Sequence, residues 1–386
     1  MRIVHVITRL IIGGAQENTL LSCEGQHDRG HDVTLITGPA IGPEGSLTER
    51  ATSYGYRVEV MDEMRRAIHP VRDWRAYRRL ARRLIELKPE VVHTHSSKGG
   101  IIGREAARRA RVPFVVHTIH GLAFTASTVR PVNAVYRMLE RRAAPLTDKI
   151  VCVADEMRAQ SLAADIGTPD QYLTIYSGME TRPFVDPPVP RDVVRAQLGL
   201  KDGHIAVGTI ARLFDLKGHE DLLEIAPRLC AWFPNLRFLW VGDGSLRPKY
   251  AAEIARLGLN DRFILTGLVP PQRIPELANA MDILVHPSRR EGLPRAVPQA
   301  SLAGKPVVVY DIDGSREGLI PDRTGFLLPP FDVSTLERAV MRLLEGPALR
   351  RAMGEAGRAF ALSRFDATVM IDALEKLYTD GVATKG

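Results

Sequence analysis

Ile283-Leu-Val-His-Pro-Ser-Arg-Arg-Glu291-Gly-Leu-Pro-Arg-Ala-Val-Pro-Gln299-Ala-Ser-Leu-Ala-Gly-Lys-Pro-Val307-Val-Val-Tyr310 reads as strand, turn, helix and strand within one supersecondary unit. Two short apolar runs, 283–286 and 307–310, bracket the polar junction. Glu291 falls where strand gives way to helix, Gly292-Leu293-Pro294 would bare backbone N–H groups, and Pro294 suits a first helical turn. Gln299 follows eight positions after Glu291. Across a mostly helical segment that spacing is about two turns, so the two side chains would share a face and read both ends of an elongated ligand. A small-residue turn then returns the chain to the second run.

The same alternation extends almost from end to end. Strand candidates lie at 2–8, 32–37, 57–61, 91–95, 114–118, 149–153 and 173–176, and a second series at 204–210, 237–241, 263–266, 283–286, 307–310 and 325–328. Helix-like segments separate them, which predicts an α/β fold of βαβ units with parallel sheets covered on both faces. Between the series, residues 182–191 carry four prolines and cannot sustain a helix or a central strand. This segment is the linker candidate, dividing an N-terminal Rossmann-like half, 1–183, from a second doubly wound half, 184–364. From 336 to about 378 the chain reads as helical, with breaks near Gly346-Pro347 and around 363–365. Two such halves facing each other would enclose a ligand, and functional residues should follow strand ends at the points where strand order reverses.

Composition narrows the class. The chain has 386 residues, 45% hydrophobic and 25% charged, with no apolar run long enough for a membrane-spanning helix. The N-terminus, Met1-Arg-Ile-Val-His-Val-Ile, runs straight into a glycine loop; it reads as a first strand, not a signal peptide, and points to a cytoplasmic protein. Cys23, Cys152 and Cys230 are distant from one another and set in apolar surroundings, as packed, reduced thiols would be. Net charge is +7. Arg65, Arg66, Arg72, Arg75, Arg78, Arg79, Arg82 and Arg83 crowd one region together with Trp74, Tyr77, Leu80 and Leu84. That pattern fits either a solvated helix face or a basic amphipathic helix on an anionic membrane surface. RNP-like aromatics, zinc-finger spacing and a helix-turn-helix are missing, so nucleic acid is not an expected partner.

Several strand ends carry chemistry. Gly13-Gly14-Ala15-Gln16 follows the first strand, where a close backbone and helix N–H groups can meet an anion such as a diphosphate. The G-x-G-x-x-G pattern of dinucleotide sites is lacking. His120, in His117-Thr-Ile-His-Gly121, ends a strand and can donate a hydrogen bond or share a proton, while His93, His95 and His117 read as ordinary sheet residues. Arg212 and Lys217 bracket the turn after the first strand of the second half, two cations suited to a diphosphate leaving group. Gly242-Asp-Gly244 is a less specific turn, shaping a nucleotide pocket or merely reversing the chain. Asp311-Ile-Asp313 mimics a D-x-D metal motif but sits in a strand-end loop, and Arg212 with Lys217 can offset diphosphate charge. No obligatory metal and no cofactor are therefore expected.

In this order the motifs resemble the GT-B-type glycosyltransferases of family 4, retaining enzymes that use nucleotide-activated sugars. Gly13-Gly14-Ala15, Val91-Val-His-Thr-His95, His117 to Gly121, Tyr176-Ser-Gly178, Arg212 with Lys217-Gly218, Val241-Gly-Asp-Gly244 and Glu291 to Pro306 carry the likeness. It implies two Rossmann-like domains facing across a cleft, and a last helix, about 365–386, returning to the N-terminal domain. It also implies roles. Glu291 would contact donor-sugar hydroxyls and Arg212 and Lys217 would grip the diphosphate. His120 would stand near sugar and phosphate, Gly14 would close over the donor, and the Val269 backbone would meet the base. Two positions depart from the pattern. Gln299 replaces the second acid of the E-x7-E signature, which holds the ribose; an amide still accepts a hydrogen bond but loses charge assistance, about 1 kcal/mol. Ser177 stands where asparagine is common.

The function expected is transfer of a sugar, most readily from a UDP-linked donor, to a hydroxyl of a lipid-linked or growing glycan at the cytoplasmic side of a membrane. Acceptor recognition is expected around 124–133 and 65–75. A nucleotide-sugar epimerase or hydrolase of the same fold, and an impaired sugar-nucleotide scaffold marked by Gln299, are the alternatives.

Overall fold

The computed structural model describes residues 1–42, 45–124 and 129–385. Contacts divide the chain into two units, Met1–Met179 with Ala367–Gly386, and Glu180–Asp366. The proline-rich stretch lies inside the second unit. Its start, Arg182–Val185, is a short helix that buries Phe184, so it is packed structure rather than a free tether.

Seven parallel strands form the first sheet: β1 (Arg2–Ile7), β2 (Asp32–Thr37), β3 (Arg57–Val60), β4 (Val91–His95), β5 (Phe114–Ile119), β6 (Lys149–Cys152) and β7 (Tyr172–Thr174). Their order is β3-β2-β1-β4-β5-β6-β7. Six more build the second: β8 (Ile205–Ile210), β9 (Leu236–Val241), β10 (Phe263–Leu265), β11 (Ile283–His286), β12 (Val307–Tyr310) and β13 (Gly325–Leu328), ordered β10-β9-β8-β11-β12-β13. Each sheet reverses its strand order once, between β1 and β4 and between β8 and β11. Those reversals open ligand crevices at the carboxyl ends of the strands.

Burial accounts for the strands. All five residues of β4 are buried, the signature of a strand covered on both faces. In the second unit Phe238, Trp240, Tyr250 and Tyr310 pack one face of the sheet, while Leu239, Leu284, Val297 and Val307 pack the other. A fully buried side chain of this size stabilises by roughly 1.5–3 kcal/mol, so the sheet is a rigid platform for its loops.

The helix Pro70–Leu87 shows how the basic region is held. Proline opens it, the His69 ring accepts from the Arg72 N–H, and Lys88 ends it in a left-handed conformation. Ala76, Leu80 and Leu84, spaced by four, form the buried stripe. Trp74 is instead 55% exposed. The last helix, Ala367–Ala383, belongs to the first unit, burying Met370, Ile371, Leu374 and Tyr378. It lies so close to the helix Gly14–Asp28 that a Cβ on Gly25 would fall 2.2 Å from Ile371 Cδ1.

The segment from Glu291 to Gln299 departs from expectation. Residues 291–295 are irregular and the helix starts only at Ala296, running Ala296–Leu302. Pro294 therefore precedes the helix, and the shared helical face of Glu291 and Gln299 does not exist. Pairing of Gly314 N–H with the Gly292 carbonyl, 3.1 Å, holds the loop open in its place.

Candidate active site

The second unit concentrates its charge at the β8/β11 reversal. The turns after these two strands are tied together: the Leu216 carbonyl accepts from the Arg289 N–H at 2.8 Å and from the Ser288 hydroxyl at 3.0 Å. Gly218, with φ of 71°, lies where a Cβ would come within 1.9 Å of the Pro287 carbonyl oxygen, so only glycine allows this approach. The consequence is a meeting of residues far apart in sequence. Lys217 Nζ donates to Glu291 Oε1 at 2.5 Å, and His286 Nε2 donates to the same oxygen at 2.9 Å. The Glu291 backbone N–H is in turn held by Asp313 Oδ2, 2.9 Å.

Electrostatics follow from that geometry. Burial by itself raises the Glu291 carboxyl, but the His286 hydrogen bond and the Lys217 ammonium overcome it and hold the group at about 2. Glu291 is thus a fixed anion and a hydrogen-bond acceptor, not a proton donor, near neutral pH. Asp311 pairs with Arg316, and Asp313 serves the Glu291 N–H, so each carboxylate of the D-x-D sequence has protein work of its own.

In the first unit the reversal lies between β1 and β4. Gly13 caps the helix Gly14–Asp28 after β1, in extended conformation with φ of 174°, and its carbonyl accepts from the Glu17 N–H. His120 directly follows β5, with its Nε2 3.1 Å from His95 Nδ1. The two rings stack at 5.3 Å between centroids. His95 in turn reaches His5 at 3.0 Å, and His5 reaches the Gln26 carboxamide oxygen at 2.7 Å. His95 is therefore more than a packed sheet residue, while His93 and His117 bond neighbouring hydroxyls within the sheet, as expected. All three are buried, and desolvation pushes each ring well below its usual titration range.

Comparison with known proteins bears on both units. The description "Glycosyl transferase 4-like domain" matches residues 13–178, and "Glycosyl transferases group 1" matches 190–360. The Escherichia coli UDP-Gal:alpha-D-GlcNAc-diphosphoundecaprenol alpha-1,3-galactosyltransferase is 30% identical over 389 residues, covering 100% of this chain and 98% of that protein. The chain belongs to the GT-B glycosyltransferases of family 4. The 2-deoxystreptamine glucosyltransferase of Streptomyces kanamyceticus is 32% identical, across 69% of this chain and 70% of its own. Among solved structures, Anabaena HepE in complex with UDP matches in fold, with a TM-score of 0.84 at 21% identity over 98% of this chain and 100% of that one.

This glycosyltransferase brings together only part of the set its sequence suggested. Lys217 and Glu291 touch. Arg212 instead is exposed, its guanidinium 5.0 Å over the Phe214 ring. Gly292 and the buried Leu293 and Pro294 shape the loop beside Glu291. Gln299 is half-buried on the helix Ala296–Leu302, and Val269 packs against the hydrophobic cluster of Leu277, Leu284 and Val297. Gly242 earns its glycine by packing, since a Cβ there would meet the Ala211 carbonyl oxygen at 2.2 Å. Ser177 accepts from the Asn18 amide at 2.8 Å, which fixes the turn before the domain boundary.

Sequence reasoning missed His286, Asp313 as a partner of Glu291, and the row His5, His95 and Gln26. The signal for His286 was its place at the last residue of a buried strand. For His5 it was register, because β1 and β4 set His5 beside His93. The acceptor stretch 124–133 lies partly outside the described residues, which omit 125–128.

Proposed function

We propose that this glycosyltransferase moves a sugar, with retention at the anomeric carbon, from a UDP-linked donor to a hydroxyl of a lipid-linked glycan. The observation that carries the proposal is the Lys217–Glu291–His286 cluster at the strand-order reversal of the second sheet. A locked carboxylate suits sugar hydroxyls, and an ammonium beside it suits the oxygen on which charge grows as the glycosidic bond breaks. Incoming phosphate would draw Lys217 away from Glu291, freeing carboxylate lone pairs for the sugar as the donor seats. On this reading the departing phosphate would itself receive the proton of the attacking hydroxyl, on the same face of the sugar. Within the second unit Arg212 and Lys217 would offset its charge and Gln299 would take a ribose hydroxyl. On this reading no divalent cation is required. Activity surviving EDTA supports that; rescue by added Mg2+ or Mn2+ would overturn it.

The donor and acceptor classes draw on the Escherichia coli relative, whose name specifies UDP-Gal and a diphosphoundecaprenol-linked acceptor. A membrane-resident acceptor asks for a membrane-facing surface, and exposed apolar and basic side chains of the first unit support that reading. No helix among the described residues is long and apolar enough to cross a membrane. Pro70–Leu87 exposes Val71 and Trp74 among Arg75, Arg78 and Arg82, although Arg79 and Arg83 are spent on Glu63 and Glu59. Beyond the helix Ser97–Ala110, against which both pack, Arg130–Ala143 exposes Val132, Val135 and Met138 among Arg130 and Arg137, while Arg141 and Arg142 pair with Asp165 and Glu105. We place this face on the anionic cytoplasmic leaflet, where each arginine near the surface adds about 1 kcal/mol.

The deciding experiment is Lys217→Ala, assayed for transfer from UDP-sugars to a polyprenyl-diphosphate sugar. A loss of about 10²–10³-fold in kcat with an unchanged circular dichroism spectrum is expected; full activity would refute the assignment.

A further inference from the structure

The turn that carries Glu291 is held by a side chain as well as by backbone. Arg289 lies two residues before Glu291, and its Nη2 donates to Asp221 Oδ1 at 2.5 Å. Asp221 stands in the first turn of the helix His219–Trp232, which begins directly after Lys217 and Gly218. Its other oxygen, Oδ2, accepts from the hydroxyl of Tyr310, at the end of β12, at 2.9 Å. Burial and the Asp221 carboxylate push the Tyr310 phenol well above its ordinary range, so it remains a donor. The guanidinium is also covered: Arg289 Cζ lies 5.4 Å over the ring of Phe331, just past β13. Phe331 has φ of 64°, uncommon for a bulky residue and kept only where its surroundings hold it.

Stability alone does not call for this arrangement, since apolar residues of similar volume often serve a buried position as well as an ion pair does. Asp221 is only 3% exposed, so leaving it unpaired is costly and it commits Arg289 to one place. The pair therefore supplies geometry. Segments that follow four neighbouring strands, β8, β11, β12 and β13, meet at one guanidinium. Two of them are the segments that carry Lys217 and Glu291. The Leu216 carbonyl, accepting from the Arg289 N–H at 2.8 Å, fixes where the Glu291 turn starts. The Asp221 contact adds a second point, and two points set a direction.

We propose that Asp221 and Arg289 are positioning residues that keep Glu291 in register with Lys217. This rests on the reading that Lys217 meets the donor diphosphate and Glu291 the donor sugar. When phosphate draws Lys217 away, the contact between Lys217 and Glu291 is lost. The contact between Asp221 and Arg289 joins the same two segments and survives, so the carboxylate stays where the sugar hydroxyls arrive.

Asp221→Asn keeps the shape and removes the charge. Transfer from a UDP-sugar to a polyprenyl-diphosphate sugar should lose about tenfold in kcat with donor KM within threefold, and Arg289→Met should do the same. Each substitution is then placed in a Glu291→Ala protein. With no carboxylate left to position, neither should cost more than about twofold further, although each still lowers the melting temperature. A tenfold loss in both backgrounds would overturn the proposal, because the pair would then support the fold and not Glu291. Unchanged kcat in the two single variants would overturn it as well. Arg289→Met, at a side chain 37% exposed, carries the comparison by itself if Asp221→Asn does not fold. Full activity in Glu291→Ala alone refutes the placement of Glu291 at the donor, and this inference with it. An impaired Glu291→Ala with a further tenfold loss refutes the positioning only, so the two failures are distinct.

Discussion

His120 and Glu291 follow strands of two sheets with the same winding, yet one is held by neutral rings and the other by charges. Behind His120 lie His95, His5 and Gln26, a buried row in which desolvation keeps His5 and His95 unprotonated. Around Glu291 stand Lys217 and His286, which keep the carboxylate ionised in spite of burial. The Rossmann-like winding supplies strand ends and a crevice. It leaves the electrostatic device open, and each unit fills it differently.

Acid should separate the two most strongly. In the first unit burial holds His5, His93, His95 and His117 below the ordinary imidazole value of about 6.5, with His5 at about 4. A depressed folded pKa contributes stability that is fully present above the unfolded pKa and is lost as pH falls toward the folded one. Each ring contributes a slope of up to about 1.4 kcal/mol per pH unit, so the four together make the first unit fail steeply between pH 6.5 and 4. The second unit carries the same liability at His219, lowered to about 4. Its Glu291 loses stability only as pH falls from 4.5 toward 2. Hydrogen exchange read by mass spectrometry at pH 7 and 5 should find opening concentrated in β1, β4 and β5; equal opening of β8 and β11 would erase the contrast.

Removing the charge from Glu291 without changing its shape sharpens the comparison. Glu291→Gln leaves the Lys217 ammonium, 21% exposed at its side chain, without its anion. Transfer measured as kcat/KM should fall about 10²-fold, and the melting temperature should fall as well, since breaking a partly buried pair strands its partner. His120→Gln, in the neutral site, should cost less on both counts.

The glycines after β1 and β8 differ in the same way. Gly218→Ala must place a methyl against the Pro287 carbonyl in a left-handed conformation, at a cost of at least about 2 kcal/mol. Gly13→Ala meets only the flexible Gln16 side chain, in extended backbone, and should stay within about 1 kcal/mol. Urea unfolding of the two variants checks the difference. Any loss of activity in Gly13→Ala then reports on donor approach and not on the fold.

These contrasts show what sequence could and could not deliver. Every strand was legible, because runs such as Val91–His95 and Val307–Tyr310 are apolar at strand length and bounded by turns. Lys217 and Glu291 were legible because strand ends point to a crevice, whatever the loops do. Their direct contact was not, since it depends on Leu216 and Pro287 closing two loops 71 residues apart in sequence. The histidine row was read as ordinary because pattern reports that a residue is buried and says nothing of what its ring meets. His95 meets His5 and His120 only through the register of three strands. The proline run misled in the other direction: proline breaks regular structure, but Phe184 beside it still finds a core.

Gln299 tests the smallest difference. It lies on the short helix Ala296–Leu302, half-buried, with Pro298 and Ala300 buried on either side, so its backbone position is fixed before any ligand arrives. Replacing it by glutamate changes charge and not reach. If a ribose hydroxyl is its partner, Gln299→Glu converts a neutral hydrogen bond to a charge-assisted one, about 1 kcal/mol, and should lower the donor KM roughly fivefold with little change in kcat. The added anion also lies in the same unit as Glu291, so part of this gain is offset if a second negative charge resists the diphosphate. A thermal-shift titration with UDP separates the two effects, because UDP carries the ribose and diphosphate without the sugar. Tighter UDP binding by the glutamate variant assigns position 299 to the ribose; weaker binding would mean that the amide is kept to spare the phosphates.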